Sequence, residues 1–382
     1  MHICYITSEY PIKDFSHGGV GTFTRSLGYQ LVEKGIEVSV IRVSDVNEEE
    51  TIIDKGITVY IIPKTKNKFL QFIWNSIILN KSIAKIHSKH PISVVESPEL
   101  GLAFMNKIKG IKYIIRMHGG HHFFAKAENR PTEWKKVWQE KRSFKNADAI
   151  LAVSEYVAET TKKLIDLKNK KVTVIYNPID TTRFYQSDSN KIEKHTLLFV
   201  GTIIEKKGIR QLVQALEYLV DDYPDIQLKI AGRNGNIPGT KTPYLPILEK
   251  EITEKIKTHV TFLGSIPNFE IPGLIEKAQI CCYPSHMEAM PLAWLEVLAM
   301  GKVFLGSITG PGPEAVQEGI TGFLVNPHDP KAIANKINYI FENYDQAIKM
   351  GIEARKRVIN EFDVTVLSKK NIEFYTSILK NQ

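Results

Sequence analysis

Apolar residues cluster along the first half of the chain in short blocks, separated by polar, turn-prone stretches. HICYIT (2–7), VSVIRV (38–43), ITVYII (57–62), ISVVES (92–97) and KYIIRM (112–117) read as strands buried on both faces. TFTRSLGYQLVEKG (22–35) and a segment from about 133 to 145 place apolar residues at helical spacing. Strand and helix patterns in alternation predict a parallel sheet with crossover helices. The pattern breaks over 177–195, NPIDTTRFYQSDSNKIEKH, and restarts with TLLFVG (196–201), QLKIAG (227–232), HVTFLG (259–264), AQICCYP (278–284) and KVFLGS (302–307). The expected fold class is therefore α/β, with two doubly wound Rossmann-like domains facing a cleft, over 1–184 and 196–361 with a linker at 185–195. A last helix, about 362–382, lies beyond the second sheet's pattern and can pack back on the first domain. The apolar segment 69–90, FLQFIWNSIILNKSIAKIHSKH, is expected to be a core crossover helix, with a surface-lying amphipathic helix as the other reading.

Composition narrows the class. At 382 residues the chain exceeds one ordinary core, and 43% apolar with 24% charged residues is the balance of a soluble globular protein. Cys4, Cys281 and Cys282 all sit in strand-like runs, so core packing in a reducing compartment is expected rather than a disulfide framework. Met1 leads straight into HICYIT, so no signal peptide is expected, and no apolar run is long enough to span a membrane. The net charge of +8 is uneven. Residues 1–190 hold 28 Lys+Arg against 20 Asp+Glu, and residues 191–382 hold 22 against 22. A basic first half suits an anionic partner, such as a membrane surface or a lipid-linked phosphate. The basic residues are scattered and lack aromatic interleaving, so nucleic acid is not an expected partner.

The chemistry concentrates in residues 284–322. Residues 291–300 read as a helix that is apolar on nearly every side and has one ionisable side chain, Glu296. A lone carboxylate there is costly unless something donates hydrogen bonds to it. Glu288 stands in the loop before the helix, and Pro291 suits its first position. The free amides behind Pro291 form a positive helix end that fits a phosphate. Two carboxylates bracketing such an end predict a sugar-nucleotide site: Glu296 on ribose hydroxyls, Glu288 on the transferred sugar, amides on the diphosphate. The turn Gly310-Pro311-Gly312-Pro313-Glu314 adds a second loop to this neighbourhood.

Other candidates stand at equivalent places. Gly18-Gly19-Val20-Gly21 follows the first strand and permits close backbone approach, although Thr24 at the third glycine position weakens it as a dinucleotide fingerprint. In the second domain Gly201-Thr202-Ile203-Ile204-Glu205-Lys206-Lys207-Gly208 offers lysines to a diphosphate. His118 ends KYIIRM ahead of Gly119-Gly120 and is expected to meet a substrate hydroxyl. His121 and His122 lack acidic or cysteine ligands at useful spacing, Glu48-Glu49-Glu50 reads as a solvated loop, and no Asp-x-Asp occurs. No metal site is expected, so amides and lysine would neutralise the leaving group.

These residues resemble the retaining glycosyltransferases of family 4, also called group 1, with the two-Rossmann GT-B architecture. The resemblance spans nearly the whole length. It runs through Gly18-Gly19-Val20-Gly21, NADAILAVSE (146–155), Asn177-Pro178-Ile179-Asp180 and Lys207-Gly208. It continues through Glu288 and Glu296, with seven residues between them, to Gly322 in GITGFLV. The resemblance implies transfer of a sugar from a nucleotide donor, UDP- or GDP-linked, to an acceptor hydroxyl, with retention and without a metal or other cofactor. Donors would bind the second domain and acceptors the first. It assigns Glu296 to ribose, Glu288 to the sugar's hydroxyls, Lys207 with Lys206 to the diphosphate, and Met290 and Leu292 to amide contacts. Ser265 and Ile266 would hold the nucleobase. On the acceptor side stand Gly18, Gly19 and His118; His118, Lys207 and Glu288 would be the catalytic set. Two departures stand out: Thr202 where arginine is frequent, and Glu-Ala-Met-Pro in place of Glu-Gly-Phe-Gly.

The expectation is a cytoplasmic enzyme of surface polysaccharide or glycolipid assembly, with a glycan or lipid-linked acceptor and a place at the inner membrane face. The alternatives are a sugar-nucleotide 2-epimerase on the same architecture and a non-catalytic partner subunit that binds nucleotide or glycan.

Overall fold

The computed structural model describes residues 1–12, 18–65, 71–128 and 130–380, the side chains of 71 and 72 excepted. Residues 69–70 of the apolar segment and 381–382 of the expected last helix lie outside the described residues. The chain divides into two units, residues 1–178 with 364–382, and residues 179–363.

The first unit is built on strands β1 (His2–Ile6), β2 (Glu37–Ser44), β3 (Glu50–Asp54), β4 (Ile57–Pro63), β5 (Val94–Ser97), β6 (Lys112–Met117), β7 (Ala149–Ala152) and β8 (Val172–Val174). They form one sheet in the order β3-β4-β2-β1-β5-β6-β7-β8, parallel throughout except β3. β1 is buried at every position because helices cover both faces. The edge strand β3 corrects the reading of residues 48–50 as loop: Glu50 opens it. Its hairpin turns at Lys55 and Gly56, with φ of +47° and +86°, which is the turn geometry that matches strand twist. Helices α1 (Gly19–Glu33), α2 (Gln71–Lys89), α3 (His121–Ala127), α4 (Trp134–Asn146) and α5 (Glu155–Leu164) supply the crossovers.

α2 is amphipathic rather than a core helix. It buries Leu79, Ile83 and Ile86, while Ile73, Trp74 and Ile77 stay exposed. Only its second half carries a stripe that the sheet can cover.

The terminal helix Val364–Lys380 belongs to this first unit. Arg116, buried on β6, donates to both Glu96 oxygens (2.7 and 3.2 Å) and to Asn371 Oδ1 (2.6 Å). Tyr375 donates to Glu96 at 2.7 Å, and its hydroxyl lies 3.0 Å from that of Tyr5. A buried ion pair stabilises little in net terms, but it fixes position, because removing either partner strands the other charge.

The second unit carries β9 (Thr196–Val200), β10 (Gln227–Ala231), β11 (Val260–Gly264), β12 (Ile280–Tyr283), β13 (Phe304–Ser307) and β14 (Phe323–Val325). All are parallel, in the order β11-β10-β9-β12-β13-β14. The strand order reverses between β9 and β12, the place where doubly wound sheets bind ligands. Helices α6 (Ile209–Ala215), α7 (Leu245–Glu249), α8 (Ile271–Lys277), α9 (Leu292–Ala299), α10 (Gly312–Ala315), α11 (Pro330–Glu342) and α12 (Tyr344–Glu361) follow in turn. Residues 185–195 are packed into this unit rather than spanning as a linker. The Ser187 amide donates to Met300, Asp188 to Glu276 and Glu193 to Lys277.

Candidate active site

The loops leaving β9 and β12 meet at the switch point. After β9 the chain makes a short turn, Glu205–Lys207, and enters α6 through Gly208 at φ +68°. Gly208 has no substitute here: a Cβ would stand 1.7 Å from the Pro284 carbonyl oxygen of the loop after β12. The His286 amide closes the contact by donating to the Lys206 carbonyl at 2.8 Å. Glu205 locks the turn from the other side. Burial works against its charge, but hydrogen bonds from Arg210, Tyr244 and Gln211 prevail and hold the carboxyl near 2.

This seam brings Lys207 onto Glu288. Lys207 Nζ lies 2.5 Å from Glu288 Oε1, and Glu288 is 8% exposed. Lys207 is therefore engaged by an acid of the same site, a pairing that the spacing of the two residues did not foretell.

α9 begins at Leu292. Pro291 caps it with φ −76° and ψ 128°, an extended conformation, so it stands just outside the helix and not at its first position. Proline without an N–H costs nothing there either. Among the described residues the amides of Leu292 and Ala293 have no hydrogen-bond partner. Met290 is buried beside them.

Glu296 projects from the middle of α9. Trp294, Leu295, Val297 and Leu298 around it are buried. Among the described residues no group donates a hydrogen bond to its carboxylate. Glu296 itself is half-buried, and this partial loss of water pushes its pKa up to about 7, against the pull of the Arg183 guanidinium. Tyr283, a buried phenol whose hydroxyl has no hydrogen-bond partner among the described residues, lies near enough to feel the same charge. Arg183 also donates to the Asn268 carbonyl at 2.5 Å.

Ser265 and Ile266 follow β11 at the sheet edge, two strands from the switch point, with Ser265 exposed and Ile266 half-buried. Gly264 before them takes φ +70° and its carbonyl accepts from Gly232 at 2.7 Å. The Gly310 turn takes φ +67°, and Thr309 ties it to the β12 loop by donating to the His286 carbonyl at 2.8 Å.

In the first unit α1 starts after Gly18. A Cβ on Gly21 would stand 1.7 Å from the Glu9 carbonyl oxygen, so packing alone demands that glycine. Gly19 is different: it is exposed, and among the described residues nothing lies within 4 Å of where its Cβ would be. His118 sits edge-on to Phe23 with ring centres 5.0 Å apart. Burial, with Arg116 adding to it, pulls its pKa down to about 3, so the ring is neutral at pH 7. His122 pairs with Glu140, and His121 Nε2 accepts from the Glu133 amide at 2.9 Å.

Arg183, Tyr283 and His286 were not singled out by the sequence. Arg183 lay in a stretch read as the approach to a linker, and no periodicity links it to Glu296. Burial pulls His286 down to about 4, with the His328 ring tilted by 33° and its centre 4.2 Å away.

Residues 17–183 match the family model described as Glycosyltransferase Family 4, and residues 182–357 match that of Glycosyl transferases group 1. The chain belongs to the group 1, family 4 glycosyltransferases. Among curated proteins, α-maltose-1-phosphate synthase of Mycolicibacterium smegmatis is 26% identical, over 63% of this chain and 66% of its own length. Matches to the first such relatives thus span about two thirds of their length. N-acetyl-α-D-glucosaminyl L-malate synthase of Bacillus anthracis is 22% identical over 96% of each chain. The fold is GT-B. Sucrose-phosphate synthase from Thermosynechococcus elongatus superposes with a TM-score of 0.86 over the full length of both chains at 20% identity. Anabaena HepE, solved in complex with UDP and glucose, gives 0.76 at 17% identity, covering 99% of this chain and all of its own. Among the described residues, no helix is long and apolar enough to cross a membrane.

Proposed function

We propose that this glycosyltransferase transfers a sugar from a UDP- or GDP-linked donor to an acceptor hydroxyl with retention and without a metal or other cofactor. Residues 179–363 take the donor, and residues 1–178 with the terminal helix take the acceptor, a glycan or lipid-linked hydroxyl. The observation that carries this reading is the group at the second switch point: Lys207 on Glu288 and, among the described residues, free amides at the start of α9 and Glu296 with no donor. A nucleotide sugar answers each need. Its ribose hydroxyls donate to Glu296. Its diphosphate accepts from the Leu292 and Ala293 amides and from Lys207, once Lys207 leaves Glu288. Glu288, released, accepts from hydroxyls of the sugar.

As the anomeric bond breaks, negative charge grows on the diphosphate. Lys207 and the helix end are already oriented to stabilise it, which is how fixed dipoles lower a barrier. The acceptor hydroxyl then attacks from the face the leaving group vacates. His118, neutral at pH 7, is suited to contact the donor sugar, and Gly19 leaves room for the reacting centre. Ser265 and Ile266 are assigned to the base, and Met290 to the diphosphate region.

The test is a thermal-shift screen over nucleotide sugars, since a ligand that binds only the folded state raises Tm. Glu296→Ala is expected to weaken donor binding at least tenfold, and Lys207→Ala to lower kcat by a hundredfold or so, the scale of losing one charge-stabilising donor. Donor affinity and turnover both unchanged in these variants would refute the site. Release of an epimerised sugar from donor alone would instead favour the 2-epimerase.

A further inference from the structure

The first sheet has its own switch point, between β1 and β5, and the strand ends there enclose a cavity of about 460 Å³. Ser8, Glu99, Gly120 and His121 line it at the strand ends, Arg130 lines it from the segment that leads into α4, and Lys136 from the first turn of α4. Glu99 is the anomaly. It is 4% exposed, yet its Oε1 has no hydrogen-bond partner. Burial, with Glu140 adding to it, pushes the Glu99 pKa up to about 8, although the amides of Glu99 itself, His118 and Gly119 pull the other way. A neutral carboxyl both donates and accepts, which suits a hydroxyl.

The floor of the cavity is fixed. A Cβ on Gly120 would stand 1.8 Å from Glu140 Oε1 and 3.0 Å from Glu99 Cγ, and Glu140 is itself held by His122. The two cations are less committed. Arg130 gives only Nε to Glu128, at 2.6 Å, which leaves its two Nη groups unused. Lys136 pairs with Glu133 at 2.6 Å, both partners about half exposed, an ion pair of little worth that a better anion replaces.

We infer that this cavity seats the acceptor, and that the acceptor carries an anionic group, a phosphate or carboxylate, clamped by Arg130 and Lys136 beside a hydroxyl hydrogen-bonded to Glu99. The inference rests on the transferase reading above and adds the acceptor's chemical class.

Calorimetry on the full chain tests it with matched probes: D-glucose 6-phosphate against D-glucose, and L-malate and inorganic phosphate alone. The phosphate ester is expected to bind at least tenfold more tightly than glucose. L-malate separates a carboxylate-reading site from a phosphate-reading one. Arg130→Ala and Lys136→Ala are expected each to lower anion affinity about tenfold without shifting the free protein's Tm, since both lie near the surface. Glu99→Gln, which keeps the shape, is expected to weaken the ester more than inorganic phosphate, which has no neighbouring hydroxyl. Equal affinity for ester and sugar, undiminished anion binding in the double Arg130/Lys136 variant, or no binding of any probe would each overturn the inference. Donor binding measured alongside keeps the cases apart. A nucleotide sugar that still depends on Glu296 leaves the transferase reading standing while this one falls.

Discussion

Glu296 is a carboxyl with no hydrogen-bond donor among the described residues. A bound ribose changes that, because hydrogen bonds to the charged form lower a raised pKa. Binding therefore releases a proton, and donor affinity rises with pH through about 7, the folded value. The ionised fraction grows roughly tenfold between pH 6 and pH 8 for such a group, so donor Kd should fall by about that factor. The diester diphosphate of a nucleotide sugar does not titrate in this range, so isothermal titration at the two pH values reads the protein. Glu296→Gln is expected to flatten the profile. The sign for stability is opposite. The folded carboxyl keeps its proton above the usual carboxylate range, so ligand-free stability drains away as pH rises from about 4.5 towards 7. Glu296→Gln should accordingly raise Tm of the ligand-free protein by more at pH 8 than at pH 5. A larger gain at pH 5 would show that the carboxyl is not held neutral.

At the scale of elements, the site depends on how closely the Glu205–Lys207 turn presses on the loop before α9. Gly208→Ala combines a disfavoured φ with a clash at the Pro284 carbonyl. It is expected to cost about 2 kcal/mol or more and to lower turnover by parting Lys207 from its place. Gly19→Ala makes the contrast: its Cβ would meet none of the described residues at the start of α1, so Tm should hold or rise slightly while transfer falls. Chemical denaturation beside initial rates separates the two; a Gly19→Ala enzyme at full speed would remove Gly19 from the reacting centre. The same elements show what was legible beforehand. β1, β2, β4, β6 and the core strands of the second sheet are runs of Val, Ile and Leu because both faces are covered, so they announce themselves. β3 does not, since it is a short exposed edge of Glu, Thr and Ile held by its hairpin. Glu296 was visible as an acid where an acid is costly, and Glu288 as its companion in the loop before the helix. Arg183 and Tyr283 were not, because nothing local marks their approach to Glu296. Pro291 was placed one position too far inside α9, since its fixed φ suits both the cap and the first turn.

At the scale of the molecule, charge follows the division into units more sharply than it follows the halves of the sequence. The first unit holds 30 Lys+Arg against 19 Asp+Glu, and the second 20 against 23. The returning terminal helix, tied down by Arg116 and Tyr375, adds three lysines to the basic unit. That unit also exposes large apolar side chains on two helices: Ile73, Trp74 and Ile77 on α2, and Trp134 and Trp138 on α4. Phe104 links the two helices, with its ring 5.4 Å from Trp138 while its carbonyl accepts from Asn80 of α2 at 2.8 Å. Lys135, Lys141, Arg142 and Lys145 rise from the same stretch of α4, all exposed. Indoles flanked by cations suit the interface of an anionic bilayer, where the ring meets the headgroup level and each nearby cation adds roughly 1 kcal/mol. A lipid-linked acceptor would be met there. Co-sedimentation with vesicles is expected to retain the protein on phosphatidylglycerol-containing membranes and to release it as salt rises. Trp134→Ala with Trp138→Ala should cut retention several-fold while leaving nucleotide-sugar affinity in the second unit untouched. Equal retention on neutral and anionic vesicles, or by the double variant, would mean that these side chains face something other than lipid.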